Sequence, residues 1–394
     1  MSSRREQLLA AADAAAPKYR DLALRLHAHP EIGLEEVQAA AWITEALEAE
    51  GFRVDRGVAD MPTAFVASWG APAARPVIAL LAEYDALPEL GHACGHNLIA
   101  SAAALAGAAV IHTLSPEEAE VRVIGSPAEE TYGGKVQLVA QGFFADVDAA
   151  LMNHGFKAHL GARPSSGRKS VVIEFHGKAA HAAGGPEKAV NALDAMVLTF
   201  SGIGLMRQQL RDEARVHGII THGGEAANIV PDYTRAECYV RSFDAAYLEQ
   251  LEEHLKACAR GAAEATGCRV EFSAVTLPML PVKHNRVLEG RYEENVRAQG
   301  VEVGPEPPAT AGAGSTDFGN VSQVLPGAHG YFRVSTGEVG AHTIEMAEAS
   351  KSEEGLAGMV VGAKALALTA LDLIEDPDLL ARARAEFAAV EEGQ

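Results

Sequence analysis

The stretch Val77-Ile78-Ala79-Leu80-Leu81-Ala82-Glu83-Tyr84-Asp85-Ala86-Leu87-Pro88-Glu89-Leu90-Gly91-His92-Ala93-Cys94-Gly95-His96-Asn97 decides how this chain folds. Its first six residues form an unbroken apolar run of strand length, as expected for a strand buried on both faces. A turn-rich segment follows and then the helical stretch Asn97–His112, so the unit reads strand–loop–helix. The loop offers a thiolate and an imidazole two residues apart. A second loop, Ser126-Pro127-Ala128-Glu129-Glu130-Thr131, places two carboxylates side by side just past the apolar run Val121-Arg122-Val123-Ile124. Adjacent glutamates repel unless a cation lies between them or one transfers protons. Together the two loops point to a metal-activated water and a carboxylate that handles its proton.

Residues from about 5 to 50 read as two amphipathic helices broken at His29-Pro30-Glu31-Ile32-Gly33. From Val54 to about Gly161, the strand-like runs Thr63–Ser68, Val77–Ala82, Val121–Gly125 and Ala149–Asn153 alternate with helical stretches such as Asn97–His112 and Gly134–Gln141. That alternation predicts a mixed, mostly parallel α/β sheet with helices on both faces. After the polar break Arg163-Pro164-Ser165-Ser166-Gly167-Arg168 the texture changes. Strand Ser170–Phe175, helix Ala189–Leu210, strands Val216–Thr221 and Thr234–Arg241, helix Ala245–Ala265 and strand Arg269–Val275 give the order of a ferredoxin-like α+β unit. Leu277–Val282 reads as a return linker, and the α/β texture resumes near Asn285 and ends in the Ala-rich helix Glu354–Ile374. The expected organisation is one domain of residues 1–165 and 285–394, interrupted by a second at 166–284.

At 394 residues the chain is long enough for two domains. With 48% apolar and 22% charged residues it has the composition of an ordinary soluble protein. A net charge of −20 argues against a nucleic-acid partner, which demands clustered Lys and Arg. Four cysteines do not make a disulfide framework at this size, and Cys238, Cys258 and Cys268 sit in apolar surroundings as core thiols. Met1–Glu6 leads into a polar helical pattern without the apolar stretch of a secretory signal. No run reads as a membrane span, Leu98–Leu114 coming nearest, so the expectation is a cytoplasmic protein without a membrane partner.

Taken singly, each histidine or carboxylate has an ordinary structural reading. Their placement is what counts. Asp85 closes the first strand, Cys94 and His96 precede a helix, Glu129 and Glu130 follow a second strand, and Asn153-His154-Gly155 ends a third. Ala341-His342-Thr343 precedes the last helix. In open parallel sheets, ligands bind beyond the carboxyl ends of the strands. One thiolate, three imidazoles and one or two carboxylates suit zinc, with manganese, cobalt or nickel as alternatives. Of the adjacent pair, Glu130 is expected to be a ligand and Glu129 the general base, since neighbouring residues point apart.

These motifs resemble the M20 metallopeptidase/amidohydrolase family, in the branch with a Cys-Gly-His metal motif whose members include aminobenzoyl-glutamate hydrolases and related dipeptidases. The resemblance runs from His29-Pro30-Glu31 through Ala82–Pro88, Gly91–Asn97, Pro127–Glu130, Asn153–Gly155, Gly177–Ala183 and Ala227–Asp232 to Gly314–Asp317. It implies two divalent metal ions per subunit. Cys94 would bridge them, Glu130 and His342 would complete one site, and His96 with His154 the other. It implies Glu129 as base, Asp85 as an orienting carboxylate, and His181 as the group a partner subunit lends to polarise the scissile carbonyl. Asn228, Arg241, Ser315 and Thr316 fall where the family holds the substrate's carboxylate. The inserted domain would be the dimerisation (lid) domain of a homodimer. Two departures stand out: Glu83 occupies a position where the wider family has a His ligand, and Asn97 replaces an Asp that would orient the neighbouring ligand. The implied function is hydrolysis of an amide in a small molecule with a free carboxylate, an N-acyl or N-aroyl amino acid of the aminobenzoyl-glutamate type. A dipeptidase on free dipeptides and a non-catalytic metal-binding subunit of a hetero-assembly are the alternatives.

Overall fold

The computed structural model describes residues 3–308, 314–337 and 339–392. Among the described residues ten strands run in chain order: β1 (Arg53–Arg56), β2 (Phe65–Trp69), β3 (Val77–Ala82), β4 (Glu120–Gly125), β5 (Ala149–Phe156), β6 (Gly167–His176), β7 (Arg215–His222), β8 (Tyr233–Ser242), β9 (Arg269–Ser273) and β10 (Gly327–Arg333). The chain divides into two units, one of Met1–Pro164, Lys283–Ala311 and Asn320–Gln394, the other of Ser165–Val282 and Gly312–Gly319.

The first unit holds the six-stranded sheet β1-β2-β4-β3-β5-β10. Its four strands β4, β3, β5 and β10 are parallel, and β1 and β2 add an antiparallel edge. All six residues of β3 are buried, the outcome expected of its unbroken apolar run. Helix His96–Ile111 is buried along its whole length, among β3, β5 and the helices Arg4–Ala28 and Glu353–Glu375. Its alanines keep the side chains short enough for close approach on every side. Helix Glu353–Glu375 corrects one expectation. It is long and apolar enough to cross a membrane, at 23 residues and hydropathy 1.7, but 67% of that window is buried within the fold. An all-round apolar helix in the centre of a large core has the same composition as a membrane span.

The second unit holds the antiparallel sheet β7-β8-β6-β9. Helices Ala192–Met206 and Ala245–Thr266 cover one face, against Val171, Ile173, Phe175, Ala236, Cys238 and Val240. The strict burial alternation along β8 marks a sheet with one packed and one open face. Helix Ala192–Met206 is shorter than the helical pattern Ala189–Leu210 suggests. Asn191 caps it by accepting from the Leu193 N–H, and the chain before that cap is extended at Ala189.

The sequence pattern does not announce β1, β10, helix Arg286–Arg297 or a last helix, Pro377–Glu392. The final helix follows Asp376-Pro377, where Pro ends one helix and starts the next at its first position.

Candidate metal centre

The carboxyl ends of β3, β4 and β5 and the loops that leave them supply the chemistry. Gly95 adopts φ 82 as the N-cap of helix His96–Ile111, so His96 is the helix's first residue, one earlier than its period suggests. After β4 the turn passes through Ala128 at φ 57, a left-handed conformation that a β-carbon disfavours. Glu36 holds it: one carboxylate oxygen accepts the Ala128 N–H at 2.8 Å and the other the Thr63 hydroxyl at 2.9 Å. Burial pushes the Glu36 carboxyl up to about 7, with the nearby Asp85 adding to the shift. His342, also left-handed at φ 64, is tied by its N–H to the Ala93 carbonyl at 2.8 Å, beside Cys94.

Two histidines could serve as ligands because of what their other nitrogen does. His96 Nδ1 lies 2.8 Å from Asp85 Oδ1, and His154 Nδ1 lies 2.7 Å from the Gly155 carbonyl. Donation from Nδ1 in each case leaves Nε2 with a free lone pair, the tautomer a metal requires. The second Asp85 oxygen accepts the Glu130 N–H at 3.1 Å, so one carboxylate orients a ring and a neighbouring loop.

Cys94 Sγ stands 3.4 Å from His154 Nε2, and His342 Nε2 stands 3.0 Å from Glu130 Oε1. Potential ligand atoms of Cys94, His96 and His154 lie within 4.8 Å of one another, as do those of Cys94, Glu130 and His342. Cys94 belongs to both sets. His96, Glu129 and Glu130 form a further set at the same spacing, and Glu129 is 7% exposed.

These residues fit divalent cations. His96 Nε2 and Glu83 Oε2 are buried, 3.5 Å apart, with no hydrogen-bond partner among the described residues. Burial pushes the Cys94 thiol up to about 12, so only positive charge beside it yields the thiolate. Burial opposes a charged His96 ring, but Asp85 and Cys94 drive its pKa well above the usual imidazole range. A divalent cation bound by His96 would take the place of the proton that Asp85 and Cys94 otherwise hold on the ring.

The second unit holds the remaining candidates. His181 is exposed, and its backbone pairs with Ile229, next to Asn228. Its Nδ1 accepts the Ala183 N–H at 3.2 Å. Arg241 Nη1 donates to Ser315 Oγ at 3.0 Å. Thr316 Oγ1 accepts the Phe318 N–H at 3.2 Å and so caps the turn that follows it.

Several contributors escape a reading of motifs. Lys135 is fully buried with its ammonium on Glu83 Oε1 at 2.5 Å, an ion pair against the His96 side of the cluster. Nothing local in Gly133-Gly134-Lys135 announces it. Glu36, 92 residues from Ala128, is equally silent in the sequence. Asn97, where a change in ligand orientation is the expectation, instead donates to the Ala23 and Ser350 carbonyls at 3.0 and 2.9 Å. Asp85 takes the orienting role for His96. His92, beside the thiol, is buried, and burial first, then the nearby His96 and His27, lowers it to about 3, a neutral ring.

Residues 165–266 match a model described as a peptidase dimerisation domain of the M20 family. Over 388 residues the chain is 40% identical to the Xaa-Arg dipeptidase of Mus musculus, covering 95% of this chain and 90% of that one. The chain belongs to the M20 family. It is 31% identical over 451 residues to a p-aminobenzoyl-glutamate hydrolase chain of Escherichia coli (strain K12), covering 96% and 93% of the two chains. A Bacillus subtilis structure described as a dinuclear metal binding peptidase of this family shares the fold, with a TM-score of 0.69 at 21% identity over 92% of this chain and 99% of that one. The protein is accordingly a hydrolase of amide bonds in the M20 class.

Proposed function

We propose that this M20 hydrolase carries two divalent ions, zinc or else manganese, cobalt or nickel, and releases an amino acid from an N-acyl or N-aroyl conjugate or a dipeptide. The observation that carries the reading is the sharing of Cys94 between two ligand sets, Cys94/His96/His154 and Cys94/Glu130/His342, each within 4.8 Å. Bound there, the ions would polarise the scissile carbonyl and make a water acidic enough to attack at neutral pH.

The chain's own groups supply the rest. Glu129 takes a proton from the attacking water and delivers it to the departing nitrogen. Glu130 is the less suited of the pair, since its Oε1 is already shared between His342 at 3.0 Å and His96 at 4.0 Å. His181, with Nδ1 accepting from Ala183, presents Nε2–H, the donor a developing oxyanion needs. Arg241, Ser315, Thr316 and Asn228 hold the substrate's carboxylate. The match to a dimerisation domain supports a homodimer in which His181 of one copy serves the ions of the other.

A second reading, a dipeptidase on free dipeptides, is favoured by the 40% identity to the Mus musculus relative named for Xaa-Arg substrates. One panel tests both: N-acyl amino acids, p-aminobenzoyl-glutamate and dipeptides ending in arginine or glutamate, each with added zinc or manganese. Turnover of none of these would overturn the proposal.

Two variants probe the architecture. Cys94→Ala is expected to reduce bound metal, by elemental analysis, from about two ions per chain to about one or fewer; an unchanged content would remove the thiolate from the site. His181→Ala should lose about 10²- to 10³-fold in kcat with metal content intact. Mixed with Glu129→Gln protein and allowed to exchange subunits, it should recover about a quarter of wild-type activity, because half the dimers are mixed and carry one complete site. No recovery would mean each chain is self-contained.

A further inference from the structure

The open face of the second unit's sheet carries a positive pair with nothing to balance it. Arg168 on β6 is the direct ladder partner of Arg241 on β8. Val171, Ile173 and Val240 point to the helices, so Arg168 and Arg241 share the opposite face. Like charges directly opposed in a sheet destabilise it. Among the described residues no carboxylate forms an ion pair with either guanidinium. Arg241 donates to Ser315 Oγ at 3.0 Å and to His217 Nε2 at 3.4 Å, both neutral acceptors. Arg168 reaches only the thioether of Met279, at 3.7 Å, and its Nε is buried without a partner. The Tyr239 ring lies 5.5 Å from the Arg168 guanidinium and stacks on His217. Arg215 on β7 continues the row on the other side of Arg241, but it is exposed and donates to the backbone carbonyls of Asp212 and Ala214, whereas farther along the face Arg235 meets Glu237 and Arg269 meets Glu271. The unpaired end is therefore a built feature of the face.

Two half-buried guanidiniums call for two negative charges. One α-carboxylate satisfies Arg241 and leaves Arg168 uncompensated. A basic leaving amino acid would add a further positive charge beside Arg215, Arg241 and Arg168.

We propose that Arg168 and Arg241 read a dicarboxylate, so that the amino acid released has an acidic side chain, with Arg241 on its α-carboxylate and Arg168 on its side-chain carboxylate. This rests on the reading of Arg241 as the carboxylate anchor. It adds Arg168 as a specificity residue, which no sequence motif marks.

The test compares N-benzoyl-glutamate with N-benzoyl-glutamine on the metal-loaded enzyme, the two differing in one side-chain charge. Wild type should favour the glutamate conjugate by about 10- to 100-fold in kcat/KM, the usual worth of a charge-assisted hydrogen bond. Arg168→Met should bring that ratio to within about threefold of unity. Arg168→Lys, retaining the charge, should restore part of the preference and controls for misfolding of the Met variant. A ratio near unity in wild type, or one unchanged in Arg168→Met, overturns the proposal. Calorimetric binding of free glutamate and glutamine separates it from the hydrolase reading. Glutamate bound selectively by wild type and lost in Arg168→Met supports the pair even where neither conjugate is cleaved. Equal binding of the two, or glutamate binding that survives Arg168→Met, sinks the pair whatever the enzyme hydrolyses.

Discussion

Glu129→Gln is expected to lower kcat by about 10²- to 10⁴-fold, the range for loss of a general base, while bound metal stays at the wild-type level. Glutamine keeps the size of the side chain and removes its ability to take a proton. The cluster explains why metal should stay. Both ligand sets that include the thiolate close without Glu129. Glu130→Gln makes the reciprocal case. It weakens the carboxylate that faces His342 and should lower metal content together with activity. Stopped-flow rates alongside elemental analysis separate the two. Turnover of Glu129→Gln within about tenfold of wild type would place the base elsewhere.

The second large effect concerns a residue outside the ligand sets. Lys135→Met should destabilise the metal-free protein by about 3–5 kcal/mol, because it strands a carboxylate in the interior. Glu83 is 1% exposed, its Oε1 bonds to Lys135, and its other oxygen has no hydrogen-bond partner among the described residues. Removing one partner of such a pair costs more than removing both, so Glu83→Gln combined with Lys135→Met should regain more than half the loss. Thermal unfolding in the presence of a chelator reads this directly. A single variant within about 1 kcal/mol of wild type would show that Glu83 is neutralised by some other group.

Much of the architecture is legible because it is local. The apolar run Val77–Ala82 is a strand with every residue buried, and the run ending at Ile124 is its parallel neighbour. The helices flanking His29–Gly33 and the β-α-β-β-α-β order of the inserted segment appear with shifts of a few residues at their ends. Those shifts have causes in single side chains, as Asn191 shows. β10 is hidden because Gly327, His329 and Gly330 dilute its apolar pattern, although Ala328 and Phe332 are buried in the sheet. The Ala-rich Glu353–Glu375 illustrates a different limit: composition alone does not separate a core helix from a span, and burial does.

The site divides in the same way. Which residue types could bind a cation and which loops could present them is written in the order of the chain. A thiol two residues from an imidazole and paired glutamates at a strand end are chemistry at short spacing. That His342 meets Glu130 across 212 positions, that Asp85 spends one oxygen on His96 and the other on the Glu130 N–H, and that Glu36 props the Ala128 turn are decided by the tertiary structure. So are the buried Lys135–Glu83 pair and the unbalanced Arg168–Arg241 pair. Periodicity and capping act over a few residues and can be read from them, whereas sheet register and burial join distant residues. They also set the local dielectric, and with it the cost of each unpaired charge.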